Sequence, residues 1–268
     1  MVSPSFFTSV INHYLPEPHS SLLNGILFGI PVRTSRVFYE QLKSVGLLHI
    51  VVLSGMNITI LSAIIISLTQ SFGRKISLVM SILGTIIFII FVRPQAPIVR
   101  AGIMGILTSV SITLGRRTHG IYLLFLSAVV ILLLKPQWLT TVSFQLSYGA
   151  TFGIMLFGSY NFKKTQSGMG RFMAAMKKDL RTSLAAQVFT APIIFLYFKQ
   201  ISLLAPISTL LVSFFIAPLM IVGFLTALLG TIHWSLGLVP SYLSYGLTSY
   251  MVFIIESLSK LPFSYIQF

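Results

Sequence analysis

The sequence predicts an all-α, polytopic membrane protein, and three observations carry that reading. Of its 268 residues, 55% are hydrophobic and only 8% are charged, with a mean hydropathy of +0.93. Soluble domains carry about a quarter charged residues. Apolar runs long enough to cross a bilayer core of about 30 Å recur along the chain. Short connections rich in Gly, Pro, Lys and Arg separate them. About eight spans are expected, some short or broken by Pro and Gly.

The elements follow in order. Residues 1–20 are mixed and polar, with Pro16 and Pro18, and are expected to form a surface segment. Ser21 to Ile30 is apolar but too short to span, which suits a re-entrant or interfacial piece, or the stub of a longer N-terminal region. Thr34 is the expected cap of a helix over Ser35–Val45. Val37, Phe38, Leu42 and Val45 make its apolar stripe, so it reads as amphipathic and interfacial. Expected spans then follow at Leu47–Leu68, Ile76–Val92, Ile98–Leu114, Ile121–Leu134 and Trp138–Phe157. Asn161 to Arg181 is the longest polar stretch and reads as a basic loop, with Lys163, Lys164, Arg171, Lys177, Lys178 and Arg181 against Asp179. Ser183–Phe198 is the next span, expected to break at Pro192. Leu203–Leu229, with Pro206 and Pro218, is either one kinked helix or two shorter pieces. Trp234–Pro240 reads as a neutral loop and Ser241–Leu258 as the last span. No internal repeat is evident, so residues 1–20 are taken as a polar N-terminal segment and 21–268 as one transmembrane domain.

Net charge is +14, with only four acidic residues. The turns at Arg74/Lys75 and Arg116/Arg117 and the 161–181 stretch are richer in bases than those at Arg93, Lys135 and Lys199. The richer set is expected on the cytoplasmic side. Such a charge also suits a protein that handles a polyanion. The first basic residue is Arg33, so no signal peptide with a basic start is expected.

Enzymatic chemistry finds little material. Glu17, Glu40, Asp179 and Glu256 do not pair at any spacing that two-carboxylate catalysis needs. The histidines at 13, 19, 49, 119 and 233 are scattered, there is no cysteine, and no phosphate loop occurs. The chain is therefore expected to be no enzyme, and to hold no metal or cofactor.

The informative groups are polar residues inside apolar runs. His49, Ser54, Gly55 and Asn57 lie at the start of the Leu47–Leu68 run. Such side chains face a protein interior or a wet cavity, since lipid offers no partners. A helix-packing seam and a pore lining remain equal alternatives on these residues alone. Arg100 lies about 9 Å along its helix from Pro94. It must snorkel to the interface, or face water and an anion. Gln145 and Ser147 sit mid-span beside Phe144 and Tyr148, a combination that suits ordinary packing or a stretched single strand. The basic 161–181 loop suits lipid head groups first, and nucleic acid second.

Three blocks in order resemble the ComEC competence family, the inner-membrane channel for transforming DNA. They are Gly46-Leu47-x-His49 with Ser54-Gly55, then Arg100-Ala101 with Met104, then Phe144-Gln145-Leu146-Ser147 followed by Gly149-Ala150-Thr151. A weaker fourth is Ser183-Leu184-Ala185-Ala186-Gln187 leading to Pro192. Asn57 stands where many members carry a second histidine. Near Thr209, where the family often has an asparagine, Ser213 and Phe214 follow instead. The resemblance implies a multi-pass inner-membrane conduit for single-stranded DNA. His49, Ser54, Gly55, Asn57, Arg100, Gln145 and Ser147 would then form a DNA path or a structural polar core. It also implies separate nuclease and motor proteins as partners, and it is compatible with a homo-oligomer in the lipid bilayer. The outer oligonucleotide-binding-like and metallo-β-lactamase-like domains of full-length members are not expected in a chain of this length. A small-solute or anion transporter, and a non-transporting scaffold for competence partners, are the alternatives.

Overall fold

The computed structural model describes residues 3–32, 34–51, 54–113, 115, 119–158, 168–202, 204–261 and 265–267. Its helices are α1 (Pro4–Tyr14), α2 (His19–Phe28), α3 (Arg36–Ser44), α4 (Leu48–Val51), α5 (Gly55–Thr69) and α6 (Arg74–Phe91). They continue as α7 (Ala96–Thr113), α8 (Gly120–Leu134), α9 (Val142–Gly153), α10 (Gly168–Phe198), α11 (Ala205–Ile232) and α12 (Trp234–Ser259). Two three-residue strands, β1 (Gln200–Ser202) and β2 (Tyr265–Gln267), pair with each other. The protein is an all-α polytopic membrane protein. By length and composition, Gly55–Phe72, α6, Met173–Tyr197, α11 and α12 can each cross a membrane. Ala96–Ser111 and α8 are shorter apolar helices. The chain divides into two compact units, residues 1–94 with 202–265, and residues 95–201 with 266–268.

The first unit is built around α2. All ten of its residues are buried. At 1.5 Å per residue it is about 15 Å long, half a bilayer core, and a helix covered on every side belongs in a protein interior. Residues 21–28, expected as part of a re-entrant or interfacial piece, are thus packed within protein. Residues 3–20, expected as a surface segment, are exposed at positions such as Phe6, Asn12 and His13 but are also anchored to the fold. Most of them are helical, Ile11 and Leu15 are buried, and the Tyr14 hydroxyl donates to the Trp234 carbonyl at 2.7 Å. The Glu17 carboxylate accepts the hydroxyls of Ser20 and Ser21, both at 2.8 Å, at the positive end of α2. Asn24 of α2 donates to the Asn12 side chain at 2.7 Å. These polar residues look like surface in sequence because their partners are brought to them only by folding.

Around α2 lie α11 and α12, the longest antiparallel pair in the unit. Leu219, Met220 and Ile216 of α11 and Met251 and Ile255 of α12 are fully buried. Thr226 and Ser244 hydrogen-bond between the two helices at 3.2 Å. From Ala205 to Ile232 this region is one helix, with Pro218 inside it. Trp234–Pro240 is not a loop but the start of α12, with Pro240 buried within the helix. The amphipathic α3 is capped by Ser35, not Thr34, through the Phe38 amide. It buries Phe38 and Leu42 but leaves Val37 70% exposed.

The expected span Leu47–Leu68 is broken. The short α4 ends at Val51, and Ser54, in an extended conformation, starts α5. The α5 and α6 helices then pack through small and hydroxyl groups. The Ser62 and Ser81 hydroxyls lie 2.6 Å apart, and a side-chain carbon on Gly84 would come within 2.5 Å of Ile65. Small residues let membrane helices approach this closely.

The second unit holds α7 to α10. Ala96, Ile131 and Phe144 form its buried cluster, with Val99, Ile103, Trp138, Leu139 and Tyr148 packed against them. The expected span Trp138–Phe157 is also broken, into a 3₁₀ turn at Pro136–Thr140, α9, and a π-turn at Ile154–Gly158. Gly153 lets α9 close onto α10, since a Cβ there would overlap the Ala185 carbonyl oxygen. The α10 helix runs 31 residues, so the basic stretch expected as a loop is helical from Gly168 onward. The basic turn at Arg116/Arg117, and residues 159–167, lie outside the described residues.

Candidate functional site

The second unit places a cation among neutral groups. Ser147, Tyr148 and Thr151 stand at i, i+1 and i+4 on α9, and Phe144 lies one turn before Ser147 and Tyr148, so all four share one face. Arg100 of α7 reaches that face. Its Nε donates to Ser147 Oγ at 2.9 Å, and its Nη1 donates to Thr151 Oγ1 at 2.7 Å and meets the Met104 sulfur at 3.5 Å. The guanidinium carbon lies 5.7 Å from the centre of the Tyr148 ring. That ring stacks on Phe144 at 4.2 Å. Met104 is one turn deeper into α7 than Arg100, so the side chain turns inward along the helix.

Each partner is itself fixed. The Thr151 hydroxyl proton goes to the Ser147 carbonyl at 2.9 Å, leaving its oxygen lone pairs for Arg100. The Ser127 hydroxyl donates to the Leu124 carbonyl at 2.7 Å, so at its 2.9 Å contact with Tyr148 the tyrosine hydroxyl is the donor. The arginine is therefore oriented by groups carrying no formal charge. Its Nη2 donors make no hydrogen bond among the described residues, and no carboxylate there neutralises it. A cation so placed can take up an anion with its free edge.

Gln145 lies on the same helix but is not among the partners of Arg100. Sequence reasoning did not count Thr151 or Ser127 among the site residues, and weighed Tyr148 only for packing or for stacking on a strand. The signal was available in part: Thr151 repeats Ser147 after one helical turn.

The other polar group is in the first unit. Asn57 is fully buried, and its Nδ2 donates to the Ile26 carbonyl at 2.8 Å. Ile26 is in the last turn of α2, where carbonyls lack intrahelical partners. Ser54 Oγ donates to Asn57 Oδ1 at 3.3 Å. Asn57 thus closes the end of a buried helix and braces the fold. Its neighbour Gly55 opens α5. Only the backbone of His49, in α4, is described. Asn57→Ala should leave the Ile26 carbonyl unsatisfied and cost about 1–3 kcal/mol. Thermal unfolding of the purified variant against the parent protein measures this loss.

Of the basic set, Lys163 and Lys164 lie outside the described residues, and only the backbone of Arg171 is described. Lys177, Lys178 and Arg181 are exposed on α10, and Arg181 donates from Nε to the Phe157 carbonyl at 2.9 Å.

Fold and site together define a multi-pass helical membrane protein with an arginine held by uncharged side chains. The chain belongs to the Competence protein family, whose model matches residues 26–268. It is 23% identical over 210 residues to ComE operon protein 3 of Bacillus subtilis (strain 168), covering 77% of this chain and 26% of that protein. It is 28% identical over 193 residues to an uncharacterized protein of Aquifex aeolicus (strain VF5), covering 70% of this chain and 42% of that one. The chain thus spans less than half the length of either curated relative. No solved structure matches it significantly.

Proposed function

We propose that this chain is a conduit in the cytoplasmic membrane that passes single-stranded DNA into the cell during natural transformation. Arg100 carries the reading. It is a permanent cation in an apolar helix, positioned by Ser147, Thr151 and Tyr148, with donors to spare and no carboxylate beside it among the described residues. An unneutralised arginine at membrane depth costs at least about 2.5 kcal/mol at the bilayer centre. A passing phosphate offsets that cost with charge-assisted hydrogen bonds. One cation among neutral hydroxyls holds a phosphate weakly enough to release it. Membership of the Competence protein family supports DNA as the cargo.

In this scheme the chain performs no covalent chemistry. Separate nuclease and motor proteins separate the strands, degrade one and pull the other. The exposed Lys177 and Lys178 lie on the cytoplasmic side. The same arginine site would also suit a small anion, which makes a solute transporter the rival reading. Vesicles containing the full chain and its partner proteins separate the two. The conduit reading expects fluorescent single-stranded oligonucleotide to enter, and radiolabelled phosphate or sulfate to cross no faster than in empty vesicles. Anion uptake without oligonucleotide uptake would overturn it.

A further inference from the structure

The first unit contains an aromatic cavity that the conduit reading does not use. Phe7 of α1, Phe28 of α2, Phe88 and Phe91 of α6 and Phe224 of α11 line a half-open recess of about 140 Å³, with Ala227 and Leu228 completing the wall. Phe7 stacks on Phe28, and the other pairs meet edge-on. Centroids lie 5.8 Å apart for Phe7 and Phe91, 6.1 Å for Phe28 and Phe224, and 6.0 Å for Phe88 and Phe224. Such spacing lies in the favourable range for aromatic pairs and resists collapse. No polar atom faces the space.

That composition selects the occupant. A recess of this size with no polar lining offers water no hydrogen-bond partner and favours apolar molecules. A nucleobase would bury its ring nitrogens and carbonyls without partners, which is unfavourable. At the rim, Leu228 is 52% exposed, and Ile90 and Leu225 on the same two helices are exposed as well. Both α6 and α11 are long and apolar enough to cross a membrane. Exposed apolar side chains on such helices meet lipid. The cavity mouth therefore opens where hydrocarbon chains are the surrounding solvent.

We propose that this cavity is a lipid site, occupied by an acyl chain of a membrane phospholipid entering past Leu228. The chain fills the space between α1, α2, α6 and α11 and makes a bilayer lipid part of the first unit's packing. The inference stands apart from the DNA reading and uses none of its residues.

The test uses the full chain in phosphatidylcholine vesicles containing a trace of phosphatidylcholine with a diazirine on one acyl chain. After irradiation, adducts are mapped by mass spectrometry. Adducts are expected on Phe91 and Phe224, and on Phe253, an exposed residue of α12 that serves as the general lipid-facing control. Leu228→Trp, which plugs the mouth from an exposed position, should reduce the Phe91 and Phe224 adducts severalfold and leave Phe253 unchanged. Ala227→Leu, which fills the space from inside, should do the same. Labelling of Phe253 alone in the parent protein would overturn the proposal, as would cavity adducts that persist undiminished in both variants. So would loss of those adducts on adding oligothymidylate, which would assign the rings to bases.

Discussion

Arg100→Met is expected to reduce transformation by roughly 10- to 150-fold while leaving the protein at normal abundance in the membrane. The range follows from removing a hydrogen bond to a charged group, about 1.5–3 kcal/mol. Methionine keeps an unbranched stem against the Tyr148 ring and removes only the charge and its donors. Stability should move the other way. The guanidinium has neutral partners only, Ser147 and Thr151 among them, so its desolvation is incompletely compensated. Removing a poorly compensated charge should hold or raise the unfolding temperature. Complementation of a strain lacking this gene, with membrane abundance measured by immunoblot and melting measured on purified protein, reads all three quantities. A fall in stability parallel to the fall in uptake would make Arg100 a structural residue. Normal uptake would remove it from the mechanism.

Gly46→Ala should be the most damaging small substitution in the first unit. Gly46 adopts φ +73°, in the left-handed region. An alanine there pays roughly 1–2 kcal/mol in backbone strain. Space is also lacking, because its Cβ would come within 2.5 Å of the Ala205 side chain and 3.0 Å of Ser202 Oγ. Overpacking of this kind adds about 1–3 kcal/mol. The Ser208 hydroxyl, which donates to the Val45 carbonyl at 2.6 Å, ties the same turn to the start of α11 and limits relaxation. A combined loss of about 2–5 kcal/mol is a large part of a normal stability margin. The expected readout is low membrane abundance and early thermal unfolding, with alanine at exposed Gly73, where no neighbour lies within 4 Å of a Cβ, as the space control.

The spans that read most clearly in sequence are those whose apolar runs end in strong punctuation. Arg74–Phe91 begins after Gly73 and ends before Arg93-Pro94, and Gly120–Leu134 stops at Lys135-Pro136. Breaks inside runs were harder. The run from Leu47 stays apolar through the discontinuity at Ser54, since hydropathy averages over a change of backbone direction. The burial of α2 was hard to read for a related reason. Asn24 and Ser21 look solvated until Asn12 and Glu17 are seen to supply their partners. The Arg100 site was half legible. A lone arginine in an apolar run announces itself, and Ser147 lay in a recognisable block. The contact to Thr151, 51 residues away, depends on how α7 and α9 pack, which no local pattern encodes. Asn57 shows the converse. Its position left a packing seam and a pore lining equally open, and its amide donates to the end of α2.

Water and DNA must both reach the neighbourhood of Arg100 if the conduit account holds. The chain has no cysteine, so Met104→Cys introduces a single thiol one helical turn from Arg100 without background. Reaction of that thiol with a charged, membrane-impermeant methanethiosulfonate, in intact transforming cells, tests access directly. The account predicts ready modification that slows when single-stranded DNA is being taken up. A thiol that stays unmodified, or reacts at the same rate with and without DNA, would contradict it.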